Sequence, residues 1–255
     1  MNRVRLTAKE TRLYAVSDRI GCMSPANVRY VLQNNPEVTA ERVEVCPNCT
    51  DLQDMRISEA IRREIRAKYQ IPQDKTVFIY GGNLGRPQGI PALVQCLESR
   101  KNDERAFFLI VGDGTEYGKL ESFIETAQPN NIKLMRRLQK EDYDTMVAAC
   151  DVGMIFLDPR FTIPNFPSRL LSYMQAGLPT LCCTDPNSDV GDVAEQGGFG
   201  WKCLSDAPHS FGAAVDAALA ADRVEMGEKA MAYLKEHYTS ERAYEIIMKH
   251  MDRTE

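Results

Sequence analysis

Short apolar runs alternate with longer segments of mixed polarity along most of this chain. Runs such as residues 152–157 carry no polar side chain, which is typical of parallel strands that are buried on both faces. The segments between the runs repeat apolar residues at helical spacing and carry helix start and stop signals. We predict eight strands, at residues 19–23, 42–46, 76–80, 106–111, 132–135, 152–157, 180–183 and 200–203.

Helices are expected between most of these strands and after the last of them. Their predicted positions are residues 3–17, 24–33, 58–70, 90–99, 115–123, 141–149, 167–177, 189–196, 210–220, 224–238 and 240–251. This alternation predicts an α/β fold, a Rossmann-like parallel sheet with helices on both faces. Residues 39–255 are expected to form one domain. Residues 1–38 are too few for a second one, and we interpret them as the remnant of an amino-terminal domain or as an added arm.

Composition narrows the class of protein. A net charge of −5 over 255 residues argues against a general nucleic-acid-binding surface. No apolar run approaches the ~20 residues of a membrane span. The polar, basic start of the sequence lacks the apolar segment of a signal peptide. We therefore expect a soluble cytoplasmic protein without a nucleic-acid partner.

The eight cysteines do not predict a disulfide framework, because most of them stand inside apolar runs, where a thiol behaves as a small buried hydrophobe. Cys46 and Cys49 form a single C-x-x-C, which is compatible with a redox pair or with half of a metal site. No second C-x-x-C and no histidine pair completes a zinc set. A structural role is therefore the favoured interpretation, and a redox protein is a third functional class.

The segment from Pro167 to Pro179 carries the most informative pattern. Pro167 and Ser168 are helix start signals, Gly177 is a stop signal, and apolar strands flank the segment, so this helix begins near the carboxyl edge of a parallel sheet. Arg169 in the first turn opposes the helix dipole by ~0.3–1 kcal/mol. A phosphate bound at the helix end would remove that mismatch. A solvated Arg169 is an equally good interpretation of this pattern alone.

Two further loops are expected at the same edge. Residues 81–89 are rich in glycine, which allows close approach to a ligand, and they include Arg86, a cation suited to phosphate. A tight turn with a solvated arginine is the alternative. Residues 136–138 could hold a nucleobase or form a charged surface loop. No Ser-His-Asp pattern, metal-ligand cluster or P-loop is found, so the residues predict a binder of a phosphate-bearing nucleotide rather than a complete active site.

Six stretches resemble, in the same order, motifs of one known family. The family is the retaining GT-B glycosyltransferases of group 1, also called family 4, and the motifs belong to its carboxyl-terminal domain. The stretches are residues 17–24, 45–51, 80–89, 108–114, 143–152 and 167–179. The order of six modest motifs makes the resemblance specific. It implies the carboxyl-terminal half of a GT-B fold.

The resemblance also implies a function. It implies hexosyl transfer from a UDP- or GDP-sugar to a glycan or lipid-linked acceptor in surface polysaccharide synthesis, with retention and without a metal or other cofactor. By motif position the donor-binding residues are Gly82, Asn83, Arg86, Gln88, Arg136, Leu138, Pro164, Ser168, Arg169, Leu170 and Ser172. Among these, Arg86 and the N–H groups of residues 168–170 would hold the diphosphate. Ser172 would approach the ribose, and Arg136 with Leu138 would face the base.

The sequence departs from the family pattern at several points. Pro164 and Ser172 replace a pair of glutamates, Pro167 lacks an N–H expected near the sugar, and Gln88 replaces a lysine. Almost the whole acceptor-binding amino-terminal domain is missing from this sequence. We therefore expect one of three cases. The chain is a fragment of a longer transferase, it is a transferase that works with a separate acceptor-domain chain or as a homo-oligomer, or it is a non-catalytic nucleotide-sugar-binding module. The resemblance leaves open whether the chain is an enzyme, and whether it lies peripherally at the inner membrane face.

Overall fold

The computed structural model describes the backbone of residues 2–251 and the side chains of residues 9–251. Every predicted strand is present in that part of the chain. The strands are β1 (Ile20–Cys22), β2 (Val43–Val45), β3 (Thr76–Asn83), β4 (Ala106–Asp113), β5 (Ile132–Met135), β6 (Val152–Phe156), β7 (Thr180–Thr184) and β8 (Gly200–Leu204). The predicted helices are present as well, with ends shifted by a few residues.

The helices follow the start and stop signals of the sequence. They are α1 (Asn2–Val16), α2 (Pro25–Asn34), α3 (Glu59–Lys68), α4 (Ile90–Glu98), α5 (Tyr117–Ala127), α6 (Lys140–Ala148), α7 (Arg169–Gln175), α8 (Val190–Gln196), α9 (Pro208–Ala220), α10 (Arg223–His237) and α11 (Ser240–Met248). Ser24 and Ser58 cap α2 and α3, each accepting a hydrogen bond from a backbone N–H three residues later. No described helix is both long and apolar enough to cross a membrane.

The main sheet is parallel and has the strand order β5-β4-β3-β6-β7-β8. The chain runs outward from β3 to β5 and then returns to place β6 on the other side of β3. The order therefore reverses between β3 and β6, and open α/β sheets bind ligands outside the carboxyl ends of the strands at such a point. The fold is thus the predicted α/β arrangement, and it places a ligand cleft between the ends of β3 and β6.

Each face of the sheet carries its own apolar layer. Side chains alternate along β3, so Val77 and Ile79 join one buried cluster while Phe78 and Tyr80 join the other. Because both faces are covered by helices, the central strands contain almost no polar side chain. This explains why the strands are readable as continuous apolar runs.

β3 and β4 are longer than predicted. Each continues two or three residues beyond its apolar run, and Gly82 pairs with Gly112 in register. A Cβ atom on Gly112 would lie 1.9 Å from the Gly82 carbonyl oxygen. The first residues of the predicted glycine loop are therefore strand, and glycine is needed there so that two backbones can pass close together.

A smaller unit precedes the main sheet. β1 and β2 form a parallel pair that shares an apolar cluster with α2. The Ala26 N–H at the start of α2 donates to Asp189 Oδ2 (2.8 Å), and Asn27 Nδ2 donates to the Pro164 carbonyl (2.8 Å). The Asn48 side chain donates to the Phe166 carbonyl at 3.2 Å. These contacts hold the small unit against the segment that leads into α7 and against the start of α8.

Candidate functional site

Two adjoining cavities open at the carboxyl edge of the main sheet. The first, which we call the Arg169 cavity, measures ≈ 570 Å³, and the second, the Asp113 cavity, measures ≈ 630 Å³. Gly82 and Tyr143 line both of them. The Arg169 cavity lies at the switch point between β3 and β6, and the Asp113 cavity lies beside it, at the ends of β4 and β5. Together they offer room for an elongated ligand that crosses Gly82.

Arg169 does not point into water. Its guanidinium lies over the Tyr80 ring, with its carbon 4.4 Å from the ring centroid, and its Nη1 is buried without a hydrogen-bond partner. No described carboxylate lies within ion-pair distance of it, since none of the described salt bridges includes Arg169 and the described lining of the cavity has no Asp or Glu. An unpaired buried cation is costly unless something compensates it. An anion in the Arg169 cavity would supply that compensation.

Gly82 makes room for this cation. Its φ of +123° lies in the region that favours glycine, and a Cβ atom there would lie 3.0 Å from Arg169 Nη2. Two physical reasons therefore explain why this position of the predicted loop is glycine. The backbone conformation requires it, and so does the position of the guanidinium beneath it.

The start of α7 offers fewer free N–H groups than the sequence predicted. The Leu170 N–H donates to the Pro167 carbonyl at 3.2 Å, and the Leu170 side chain is buried in the core. The Leu170 N–H is thus already engaged in a turn, and its contact with a diphosphate stays a prediction. Within the described residues, the N–H groups of Ser168 and Arg169 have no backbone acceptor. These two remain as candidate donors beside the guanidinium.

Arg86 lies outside the lining of both cavities. Its side chain is 88% exposed, and its Nε lies 3.9 Å from Glu116 Oε1, a loose surface pair of little energetic value. Gln88 lines the Arg169 cavity, and its Oε1 accepts hydrogen bonds from Asn83 Nδ2 and the Gly85 N–H, both at 3.3 Å. Gln88 therefore stabilises the loop by hydrogen bonds, and Asn83 lines the Asp113 cavity. The role of Arg86 toward a diphosphate stays a prediction.

The side chains of the predicted base-binding loop, residues 136–138, lie in two different places. Arg136 stacks on the Tyr117 ring, 3.5 Å from its centroid, and its Nη1 donates to Asp113 Oδ1 at 3.0 Å. Arg136 lines neither of the two cavities. Arg137, Leu138 and Lys140 line the Asp113 cavity instead. The hydrogen bond from Arg136, with one from the Arg137 N–H, lowers the pKa of the Asp113 carboxyl. Leu138 thus lines the cavity, whereas Arg136 contacts the loop from outside it. The base-binding role of both residues stays a prediction.

Pro164 and Ser172, which stand where the family has glutamates, differ in whether they line a cavity. Ser172 lines the Arg169 cavity, whereas Pro164 is buried outside its lining. The Pro164 carbonyl accepts the hydrogen bond from Asn27, so its role is to anchor the small unit. Since no carboxylate is among the described residues that line the Arg169 cavity, the arrangement supports anion binding rather than acid–base chemistry.

Sequence reasoning missed Tyr143 as a lining residue. It lies on α6, and its hydroxyl occupies the space that a side chain on Gly81 would need. Asn48 and Asn165 also line the Arg169 cavity and were not singled out as ligand contacts. Two consecutive glycines at the end of a strand are a signal that something bulky lies against them. That signal does not say which residue it is.

Five of the eight cysteines behave as buried hydrophobes. Cys22, Cys96, Cys150, Cys182 and Cys183 are all buried free thiols, as the apolar runs predicted. In the C-x-x-C pair, burial and the nearby Glu44 carboxylate raise the pKa of Cys46, which disfavours a reactive thiolate. Among the described residues no group of three potential ligands is arranged to hold a metal ion. The structural interpretation of this pair agrees with its geometry.

Residues 61–236 match the family described as Glycosyl transferases group 1, and the chain belongs to that family. It is similar to the probable glycosyltransferase WbjE of Pseudomonas aeruginosa, with 26% identity over 70% of this chain and 45% of that protein. It is also similar to the putative colanic acid biosynthesis glycosyl transferase WcaI of Escherichia coli, with 24% identity over 62% of this chain and 39% of the relative. The chain thus spans less than half the length of these two relatives.

Among solved structures, the fold resembles that of HepE from Anabaena in complex with UDP and glucose. The TM-score is 0.79 and the sequence identity is 16%, over 99% of this chain and 68% of the other. This likeness establishes the fold, that of the GT-B glycosyltransferases.

Proposed function

We propose that this chain is the donor-binding part of a glycosyltransferase that uses a UDP- or GDP-sugar. The observation that carries the proposal is Arg169, a half-buried cation whose Nη1 is buried without a partner and which has no described carboxylate beside it, at the switch point of the sheet. The family of this chain transfers sugars. In the Anabaena relative of the same fold, the bound molecules are UDP and glucose. A nucleoside diphosphate supplies the missing negative charge and has the elongated form that two adjoining cavities accommodate.

The proposed division of the ligand follows from the two cavities. The nucleoside occupies the Asp113 cavity, against Leu138 and the Arg137 backbone, and the sugar occupies the Arg169 cavity near Ser172. The diphosphate crosses Gly82 between them. Arg169 and the N–H groups of Ser168 and Arg169 then face the phosphate that carries the sugar. Arg86, which is exposed at the rim, is free to swing toward the diphosphate.

This arrangement suggests how the chain assists transfer. Negative charge grows on the nucleoside diphosphate as its bond to the sugar breaks, and a fixed cation with preorganised N–H donors stabilises that charge. Retention of configuration, hexosyl transfer and a glycan or lipid-linked acceptor form part of the proposal. The acceptor would be held by another part of the assembly: a further domain of a longer polypeptide, a separate acceptor-domain chain or a second copy.

Calorimetric titration with a panel of UDP- and GDP-sugars tests the proposal. We expect at least one nucleotide sugar to bind to the wild-type chain. Arg169→Met should weaken that binding by about 30-fold or more, because a charge-assisted contact with a phosphate is lost. Arg63→Met is the matched control, since Arg63 is exposed on α3 and lines neither cavity. A chain that binds none of the panel would contradict the proposed function.

Transfer is tested separately from binding. The wild-type chain is incubated with the nucleotide sugar that binds, with candidate acceptors and with candidate partner chains. Release of the nucleoside diphosphate together with a glycosylated product supports a transferase. Binding without transfer or donor hydrolysis in every combination would instead favour a non-catalytic module.

A further inference from the structure

Tyr143 forms the shared wall of the two cavities, together with Gly82. It projects from α6 toward the end of β3, so that a Cβ atom on Gly81 would lie 1.8 Å from its hydroxyl oxygen and 2.3 Å from its Cζ. Gly81 is not among the residues with positive φ. Backbone conformation therefore does not explain the glycine, and the explanation that the contacts give is room for the end of the Tyr143 side chain.

The Tyr143 hydroxyl remains a hydrogen-bond donor at physiological pH. Burial and the neighbouring Tyr173, to whose hydroxyl the Tyr143 hydroxyl donates, raise the pKa of Tyr143 well above its ordinary value, although Arg169 opposes this shift. Its polar neighbour Tyr173 already has two carbonyl oxygens within reach of its own proton, Met154 at 3.1 Å and Ile79 at 3.3 Å. A hydroxyl proton rotates freely about its C–O bond, and a charged acceptor is a better partner than another hydroxyl.

Arg169 and Tyr143 thus present a cation and a neutral donor at one crossing point. We propose that Tyr143 is a diphosphate-binding residue, whose hydroxyl donates to the phosphate that passes over Gly82 from one cavity to the other. This inference rests on the proposed function, because it concerns the same ligand. It adds a specificity element, since a hydroxyl at the crossing point contacts a nucleoside diphosphate and leaves a nucleoside alone untouched.

The test compares Tyr143→Phe with the wild-type chain, using UDP and GDP by calorimetry and the corresponding nucleosides by ligand-observed NMR at millimolar concentration. We expect about a tenfold loss of diphosphate affinity, the size of one hydrogen bond to a charged group, with unchanged nucleoside affinity. The nucleoside measurement also verifies that the variant is folded. Tyr117→Phe is the matched control, because Tyr117 lies nearby on α5 but lines neither cavity.

The outcomes distinguish a failure of this inference from a failure of the proposed function on which it rests. If the wild-type chain binds neither UDP nor GDP, the proposed function and this inference both fail. If the wild-type chain binds one of them and Tyr143→Phe binds it equally well, only the role of Tyr143 is overturned. Equal losses of diphosphate and nucleoside affinity would also overturn it, since they would show that Tyr143 shapes the cavities without contacting the phosphate.

Discussion

Two arginines, one at each edge of the main sheet, contrast in how their buried donor groups are satisfied. Arg66, which is 2% exposed, donates to Asp151 Oδ2 (2.7 Å) and to the Ala149 carbonyl (2.8 Å), with two further carbonyls near its Nη1. Arg169 has the Tyr80 ring beneath it and a buried Nη1 without a partner. A buried arginine whose N–H donors all have acceptors is typical of a structural role. An arginine with a buried, unpartnered donor at a cleft instead indicates a binding site.

Unfolding experiments give the largest expected difference between the two arginines. Arg66→Met should lower the free energy of unfolding by about 3 kcal/mol, because Asp151 loses one of its two arginine partners, with only Arg62 left, and the buried Ala149 carbonyl loses its donor. Arg169→Met should change it by less than about 1 kcal/mol or raise it, because no described carboxylate is left unpaired and only the contact with the Tyr80 ring is lost. Urea titrations without ligand measure both values. Equal large losses would show that Arg169 has a structural role.

The close contact between Gly81 and Tyr143 gives the next largest effect. Gly81→Ala should destabilise the chain by roughly 1–3 kcal/mol, because the added methyl group overlaps the phenol ring. Tyr143→Ala in the same chain should recover part of that loss. Tyr143→Phe should not, since Cζ as well as the hydroxyl oxygen lies too close. Thermal unfolding of the single and double variants measures this coupling, and simple additivity would contradict the contact.

The smallest effect concerns pH at the Asp113 cavity. The hydrogen bond from Arg136, with that from the Arg137 N–H, lowers the pKa of Asp113 from its ordinary value of 3.8. The stabilisation from these contacts is therefore present above the unfolded pKa and is lost as the pH falls through the lower folded value. NMR titration of the Asp113 carboxyl checks the direction. In Arg136→Ala the titration should move back toward 3.8, and an identical titration would argue against this pairing.

The sequence predicted the strands and helices well, because parallel strands that are buried on both faces have uninterrupted apolar sequences. It also predicted the cleft, since the ends of such strands meet at one edge. It left the direction of Arg169 open. A cation in a first helical turn can point into water or back over a ring, and the choice depends on Tyr80, which is 89 residues earlier in the chain.

Residues that are adjacent in sequence were harder to assign. Arg136 and Arg137 follow the same strand, yet only Arg137 lines a cavity, because Tyr117 and Asp113 hold the Arg136 side chain elsewhere. Tyr143 was missed because its contact with Gly81 joins residues that are 62 positions apart in the chain. In each case the missing information was a tertiary contact, which local pattern and turn chemistry do not encode.

The central claim is that the unpartnered guanidinium of Arg169 awaits a phosphate, and a crystal structure with bound UDP or GDP tests it most directly. The account predicts a phosphate oxygen about 2.7–3.1 Å from Arg169 Nη1, with the diphosphate crossing Gly82. A complex in which the diphosphate binds elsewhere, while Nη1 stays buried and without a partner, would contradict the account.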